Sequence, residues 1–208
     1  MHANKIDINQ RIPLDVLEVA LQGYLEGNYS NDYIMEQLSV VYNGANRLKK
    51  ALRIVNKIIV QNPIINFIDE HKEEVKQAIK VTTDRNIILI SLLNSAFPFS
   101  FDVLKSFAKY FDVQDLINSE TVKKNIANVY GGNRATENGI YSVVPMFLEA
   151  ELFTRPKQGL YEFINPIQVN TKISFQIYEE AYKSVNSINE MLDYMRNEPY
   201  FMFVRGLE

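Results

Sequence analysis

The sequence predicts a mostly α-helical fold, a multi-helix N-terminal domain followed by a winged-helix-like module with a small β-hairpin. Three observations carry that expectation. Apolar residues recur at helical spacing from Leu14 to Phe111. Two further helical patterns, split by Gly131-Gly132, follow from Ser119. The stretch "FLEAELFTRPKQGLYEF", Phe147 to Phe163, then runs an apolar helix end into two short segments joined at Pro156 and Gly159.

The elements can be justified in order. Leu14, Leu17, Leu21 and Leu25 form a stripe over residues 13–26, widened by Val16, Val19 and Ala20, and Gly27-Asn28 stops it. Asn31 opens a second helix, "DYIMEQLSVVY", which Asn43-Gly44 ends, so the chain begins as a helix-turn-helix. Residues 46–60, "NRLKKALRIVNKIIV", are strongly amphipathic, with Leu48, Ala51, Leu52, Val55, Ile58 and Ile59 on one face. Lys49, Lys50, Arg53 and Lys57 occupy the other, and at ~100° per residue they span about a third of the circumference.

"NPIINFIDEHKEEVKQAIKV" predicts one helix after Pro63. "TDRNIILISLLNSAF" is apolar all round, as a buried central helix should be, with Asp84 as its cap. Pro98 breaks the run, and "SFDVLKSFAKYF" restarts with Val103, Leu104, Phe107 and Phe111 inward. Val122, Ile126 and Val129 share a face of "SETVKKNIANVY". Ile140, Val143, Val144, Phe147 and Leu148 follow helical spacing in the next segment, where Gly139 and Pro145 weaken the interior and a kink is expected near Pro145. The hairpin strands are expected over Leu152–Arg155 and Leu160–Ile164. Two more helices and a short aromatic end follow Pro166. The organisation expected is residues 1–80 as an N-terminal helical domain, 81–165 as the central helix with the winged-helix-like module, and 166–208 as a C-terminal helical extension.

Composition narrows the function. The 208 residues carry a net charge of −3, which argues against non-specific coating of nucleic acid and makes any such site local. The absence of cysteine excludes disulfides and thiolate metal sites. "MHANKIDINQRIPLDV" lacks the order of a secretory signal, and the longest apolar run, "IILI", is far short of the ~20 residues a membrane span requires. A cytoplasmic protein is expected.

In a winged helix the second helix of the pair enters the major groove and the hairpin tip meets phosphates. Arg134, Thr136, Asn138, Tyr141 and Ser142 fall at the start of that helix and are the candidates for direct readout. Arg155 and Lys157 make the wing tip basic. Lys49, Lys50, Arg53 and Lys57 form either a phosphate track or an ordinary solvated face. His71, within "DEHKEE", belongs to a charged run on one helix rather than to a converging ligand set. No nucleophile, phosphate-loop or metal motif is present, so no catalytic residue, metal or cofactor is expected.

Four segments, "GYLEG", "NRLKKALRIV", "ILISLLNSAFPFSFDVL" and "RATENGIYSVVPMFLEAELF", give residues 12–155 a pattern that resembles the BrxA proteins of BREX bacteriophage-defence systems. The resemblance implies a small helical accessory protein that binds double-stranded DNA, with other defence-system proteins as further partners. It implies Arg134 and Thr136 at the start of the late helix and Leu148 and Leu152 as its packing positions. Glu151 stands where the pattern leads one to expect glycine. The expectation is therefore a non-catalytic DNA-binding protein; the alternative is a scaffold subunit that holds protein partners through its helical and wing surfaces.

Overall fold

The computed structural model describes residues 5–207. Among the described residues there are ten α-helices, α1 to α10, and five short strands, β1 to β5, and one of the helices is almost wholly buried among the other elements. α1 (Leu14–Glu26) buries Leu14, Leu17, Leu21 and Leu25 and ends on Gly27, whose φ of 78° is the left-handed geometry a helix stop favours. α2 (Asn31–Val41) is capped by Ser30, one residue before the expected Asn31, the hydroxyl accepting from the Tyr33 amide. α3 (Ala45–Ile58) turns Ala51, Ile54, Val55 and Ile58 inward.

The single helix expected after Pro63 is instead two, α4 (Ile65–Glu70) and α5 (Lys72–Ala78), broken at His71. No apolar residue lies between Ile68 and Val75, both buried, so nothing in "DEHKEE" holds that stretch straight against the core.

α6 (Thr82–Ala96) is the central helix, buried from Asn86 to Ala96. Asp84, Ser91, Asn94 and Ser95 among its buried polar side chains are hydrogen-bonded, as burial demands. Ser95 donates to the Asn62 carbonyl oxygen at 2.7 Å, and the Asn62 amide donates to the backbone oxygens of Ile58 and Leu92. Asn94 accepts from Ser100 at 2.7 Å and donates to Tyr200. Asp84 is not the cap of α6 but lies in its first turn, fully buried, where its carboxylate accepts from the backbone amides of Asn170 and Thr171, the Asn170 side chain and the Thr171 hydroxyl. Burial pushes its pKa up, but hydrogen bonds from Ser174, Thr171 and Asn170 outweigh it and hold the group below its ordinary 3.8.

α7 (Pro98–Phe111) leaves α6 at 118°, with Pro98 in its first turn. β1 (Leu116–Asn118), α8 (Ser119–Tyr130), α9 (Arg134–Glu149), β2 (Thr154–Lys157) and β3 (Leu160–Glu162) complete a winged-helix connectivity, with an antiparallel sheet in the order β1-β3-β2. The sequence does not predict β1; β2 lies two residues beyond the expected Leu152–Arg155, and β3 begins at the expected Leu160 but ends at Glu162 rather than Ile164. Leu152 and Phe153 lie before β2 and are buried, and Pro156 sits in the edge strand, where its missing N–H costs no ladder bond. The register slips by one residue between Thr154 and Lys157. α9 continues through Pro145. Val122 and Ile126 of α8 are buried, but Val129 is 50% exposed.

After β4 (Ile167–Gln168), α10 (Lys172–Asn186) packs along α6 as the most extensive pairing in the molecule, so this region is part of the core. A second C-terminal α-helix does not form. Ser187 turns left-handed at φ 55°, and 3₁₀ turns over 193–197 and 199–203 lead to β5 (Val204–Arg205), parallel to β4. Tyr200, Phe201 and Phe203 plug the core, with Tyr200 stacked on Tyr178 at 4.2 Å. No single helix among the described residues is long and apolar enough to cross a membrane.

Two stability predictions follow. Glu151 is the second residue after α9, just past its Ala150 cap, at φ 62°, and the Leu152 amide reaches back to the Phe147 oxygen at 3.1 Å, as in a glycine-type helix stop. Glu151→Gly is expected to raise stability by about 0.5–1 kcal/mol, read from the urea midpoint at constant m. Asp84→Asn is expected to cost about 2–4 kcal/mol near pH 7, because it replaces an acceptor-only group facing four donors. Since the folded carboxyl titrates below its unfolded value, its contribution is present above the unfolded pKa and is lost as pH falls through the folded one. The gap between parent and variant in chemical denaturation therefore narrows below about pH 4.

Candidate nucleic-acid interface

α9 begins at Asn133, whose side-chain oxygen accepts from the amides of Ala135 and Thr136 at 2.9 and 3.1 Å. This cap fixes which residues of the first two turns face out. Arg134, Asn138 and Tyr141 are exposed and, at i, i+4 and i+7, lie along one line of the helix. Glu137 is exposed in the same turns. Thr136 and Ser142 face the other way. Thr136 is 2% exposed and its hydroxyl donates to the Gly131 oxygen at 2.6 Å; Ser142 is 4% exposed and donates to the Asn138 oxygen at 2.7 Å. Both hydroxyls are spent inside the protein, as short polar side chains in helices often are.

Two contacts seat α9. Gly139 lies against the Phe99 ring of α7, so closely that a Cβ there would stand 2.6 Å from Phe99 Cε1 and 3.0 Å from Ile6 Cγ2. The glycine that weakens the helix in isolation is what permits this approach. The second contact is the extended segment over residues 5–13, in which Ile8 and Ile12 are fully buried. Arg11 pairs with Glu149 at the far end of α9, and Glu149 also accepts from the Leu14 amide at 2.9 Å. The Tyr42 hydroxyl donates to the Arg11 oxygen.

The same segment divides the α3 cations. Lys57 pairs with Asp7 and lies 4.2 Å from the centre of the Phe97 ring, and Arg53 donates to the Asp7 oxygen at 3.3 Å. Lys49 and Lys50 remain exposed. The stripe is thus two surface lysines and two cations engaged by the N-terminal segment.

On the other flank, Arg155 and Lys157 are exposed on β2. The wing is short and anchored. Its turn, with Gly159 at φ 80°, accepts from the Ser119 amide at 2.8 Å, and Arg155 lies 5.9 Å from the centre of the Tyr161 ring. Lys123 of α8 donates to Glu120 at 2.7 Å and to the Tyr141 hydroxyl at 3.3 Å, and the Glu120 bond leads the effects that raise its pKa. A small apolar cavity of ≈ 90 Å³ lies between α8, α9 and the sheet, and Lys123, Tyr141 and Arg155 all border it. Lys123 carries no distinguishing motif, but it lies four residues after Ser119 on the helix that precedes α9. Tyr141, the last residue of the helix line, and the wing cation Arg155 therefore border one cavity.

Among the described residues no cluster of His, Cys, Asp or Glu could hold a metal ion. No protein-family profile, curated protein or solved structure matches the chain.

Gly139→Ala tests the seating of α9. It is expected to destabilise by about 1–3 kcal/mol through overpacking against Phe99, despite the higher helix propensity of alanine. Thermal unfolding of the variant, with Ala135→Gly as a surface comparison on the same helix, measures the difference.

Proposed function

We propose that the protein is a non-catalytic, double-stranded-DNA-binding protein that presents α9 to the major groove and the β2–β3 wing to the flanking backbone. The observation that carries the reading is the exposed line of Arg134, Asn138 and Tyr141, whose last member borders the same cavity as Arg155, on a winged-helix connectivity. Arginine and asparagine are the side chains whose paired donors and acceptors suit guanine and adenine edges in the major groove. Arg155 and Lys157 suit phosphates, which position a protein without specifying sequence. A net charge of −3 requires such cations to act locally, and Arg155 borders the same cavity as Tyr141 of α9. The resemblance to BrxA supports the same reading and suggests an accessory role in bacteriophage defence.

The second reading is a protein-interaction subunit. It is favoured by Val113, Leu116 and Ile164, which are 77%, 47% and 63% exposed near the β1 edge of the module. Such a patch suits a protein partner better than a phosphate backbone.

Duplex titration across a salt series separates the two. Binding is expected to weaken as salt rises, with a slope of about −0.9 per phosphate contacted. Arg155→Glu with Lys157→Glu is expected to weaken binding to all duplexes alike and to flatten that slope. Asn138→Ala is expected to cost about 1–3 kcal/mol of discrimination at one base pair only. Absence of binding to any duplex at low salt, with a partner captured through Val113 and Leu116, would transfer the assignment to the second reading.

A further inference from the structure

Tyr141 borders a second cleft as well as the apolar cavity. This cleft, with a volume of ≈ 390 Å³, lies where the N-terminal segment and the α2–α3 junction meet α9. Its wall holds two guanidinium groups, Arg11 and Arg47, and the amides of Asn9, Gln10 and Asn138, but no carboxylate. Arg11 already has a carboxylate partner, Glu149, which lies outside the wall. Arg47 has none among the described residues. It is exposed, and its guanidinium carbon lies 5.0 Å from the centre of the Tyr42 ring.

The arrangement is fixed rather than incidental. Tyr42 is nearly buried, and its hydroxyl bond to the Arg11 oxygen holds the ring on which Arg47 rests. Burial raises the Tyr42 pKa above 10.0, so the ring brings no negative charge near neutral pH. The buried Gln10 amide nitrogen lies near the Tyr42 hydroxyl but makes no well-aligned hydrogen bond among the described residues, which leaves a further donor at the wall poorly used. A concave surface made of planar cations and amide donors, in which the acid that holds Arg11, Glu149, stands outside the wall, is complementary to a compact oxyanion with several acceptor oxygens. Phosphate fits that description, and guanidinium engages it in a fork geometry that lysine cannot reproduce.

We propose that this cleft is a phosphate site, in which Arg47 and Arg11 engage the non-bridging oxygens and the amides of Asn9 and Gln10 add donors. The phosphate comes either from the DNA strand that flanks the stretch contacted by α9 or from a free nucleotide. The first source rests on the duplex-binding reading above; the second does not.

The test uses the full chain and the variants Arg47→Ala and Arg47→Lys. Arg47 is an exposed residue in the first turn of α3, so an unchanged thermal midpoint is expected and serves as the folding control. In one arm, duplex is titrated across salt. Arg47→Ala is expected to lose about tenfold in affinity and to reduce the salt slope by about 1, whereas Arg47→Lys keeps the slope and recovers part of the affinity. In the other arm, inorganic phosphate and adenosine monophosphate are titrated while backbone amide resonances are followed. Shifts around Tyr42 and Arg47 in the parent that vanish in Arg47→Ala establish the free-nucleotide source. If the parent binds no duplex, the reading of α9 fails and the phosphate arm alone decides the cleft. Parent-like duplex affinity and slope in Arg47→Ala, together with no phosphate-dependent shift in the parent, would overturn the proposal.

Discussion

The buried carboxylate of Asp84 is the constraint on which the architecture depends. Two helices, α6 and α10, have their N-termini within reach of this one side chain, and aligned peptide dipoles make both ends partly positive. Bringing two such ends together in an apolar interior would be unfavourable without an anion between them. Asp84 supplies it, and the backbone amides of Asn170 and Thr171 together with the Thr171 hydroxyl satisfy it in return. The same contact closes a sequence separation of 86–87 residues and so settles where the C-terminal third of the chain lies on the central helix.

From that axis the remaining layers are placed by smaller polar anchors in an otherwise apolar core. Asn62 joins the end of α3 to α6, and Asn94 joins α6 to Ser100 of α7 and to Tyr200. Each anchor is directional, whereas aliphatic packing is not, and a misplaced neighbour would leave a desolvated donor or acceptor without a partner. The winged-helix module attaches to this frame through α7. Phe107 lies 4.5 Å from Phe153 and meets the edge of Tyr161 at 5.1 Å, which couples the root of the wing to the core. Phe203 packs edge-on to Phe163 and so ties the C-terminal plug to the same aromatic group.

What the sequence made legible follows from the range of the forces involved. The buried central helix was readable because its apolar residues surround the helix axis, and the hairpin was readable because Gly159 acts locally on the chain, whereas Pro156, expected at the turn, stands in the edge strand. β1 was not, since "LIN" is too short to alternate and becomes a strand only through pairing with β3. The break at His71 was missed because charged residues with good helix propensity conceal the lack of a core contact. Among the site residues, periodicity found the exposed line of Arg134, Asn138 and Tyr141. It could not separate these from Thr136, whose hydroxyl turns back to Gly131, or anticipate that Asp7 engages Lys57 from a segment with no periodic pattern. Arg11 and Arg47 escaped notice for the same reason: they converge only in three dimensions. Glu151, a departure from the family-like pattern, proves to sit where the backbone itself favours glycine.

The N-terminal segment gives the proposed recognition surface an unusual dependence. Arg11 and Glu149 are 138 residues apart in sequence, so the segment that braces α9 joins it by one of the longest loop closures in the chain. Closing such a loop costs chain entropy that only the docked contacts offset. The helix is thus held at two points by different parts of the chain: Gly139 rests on Phe99, and Glu149 is gripped by Arg11 and the Leu14 amide. Removal of the segment would free one end of α9 while leaving the wing on its aromatic root, so the orientation of the helix and the integrity of the core are separable properties of this chain.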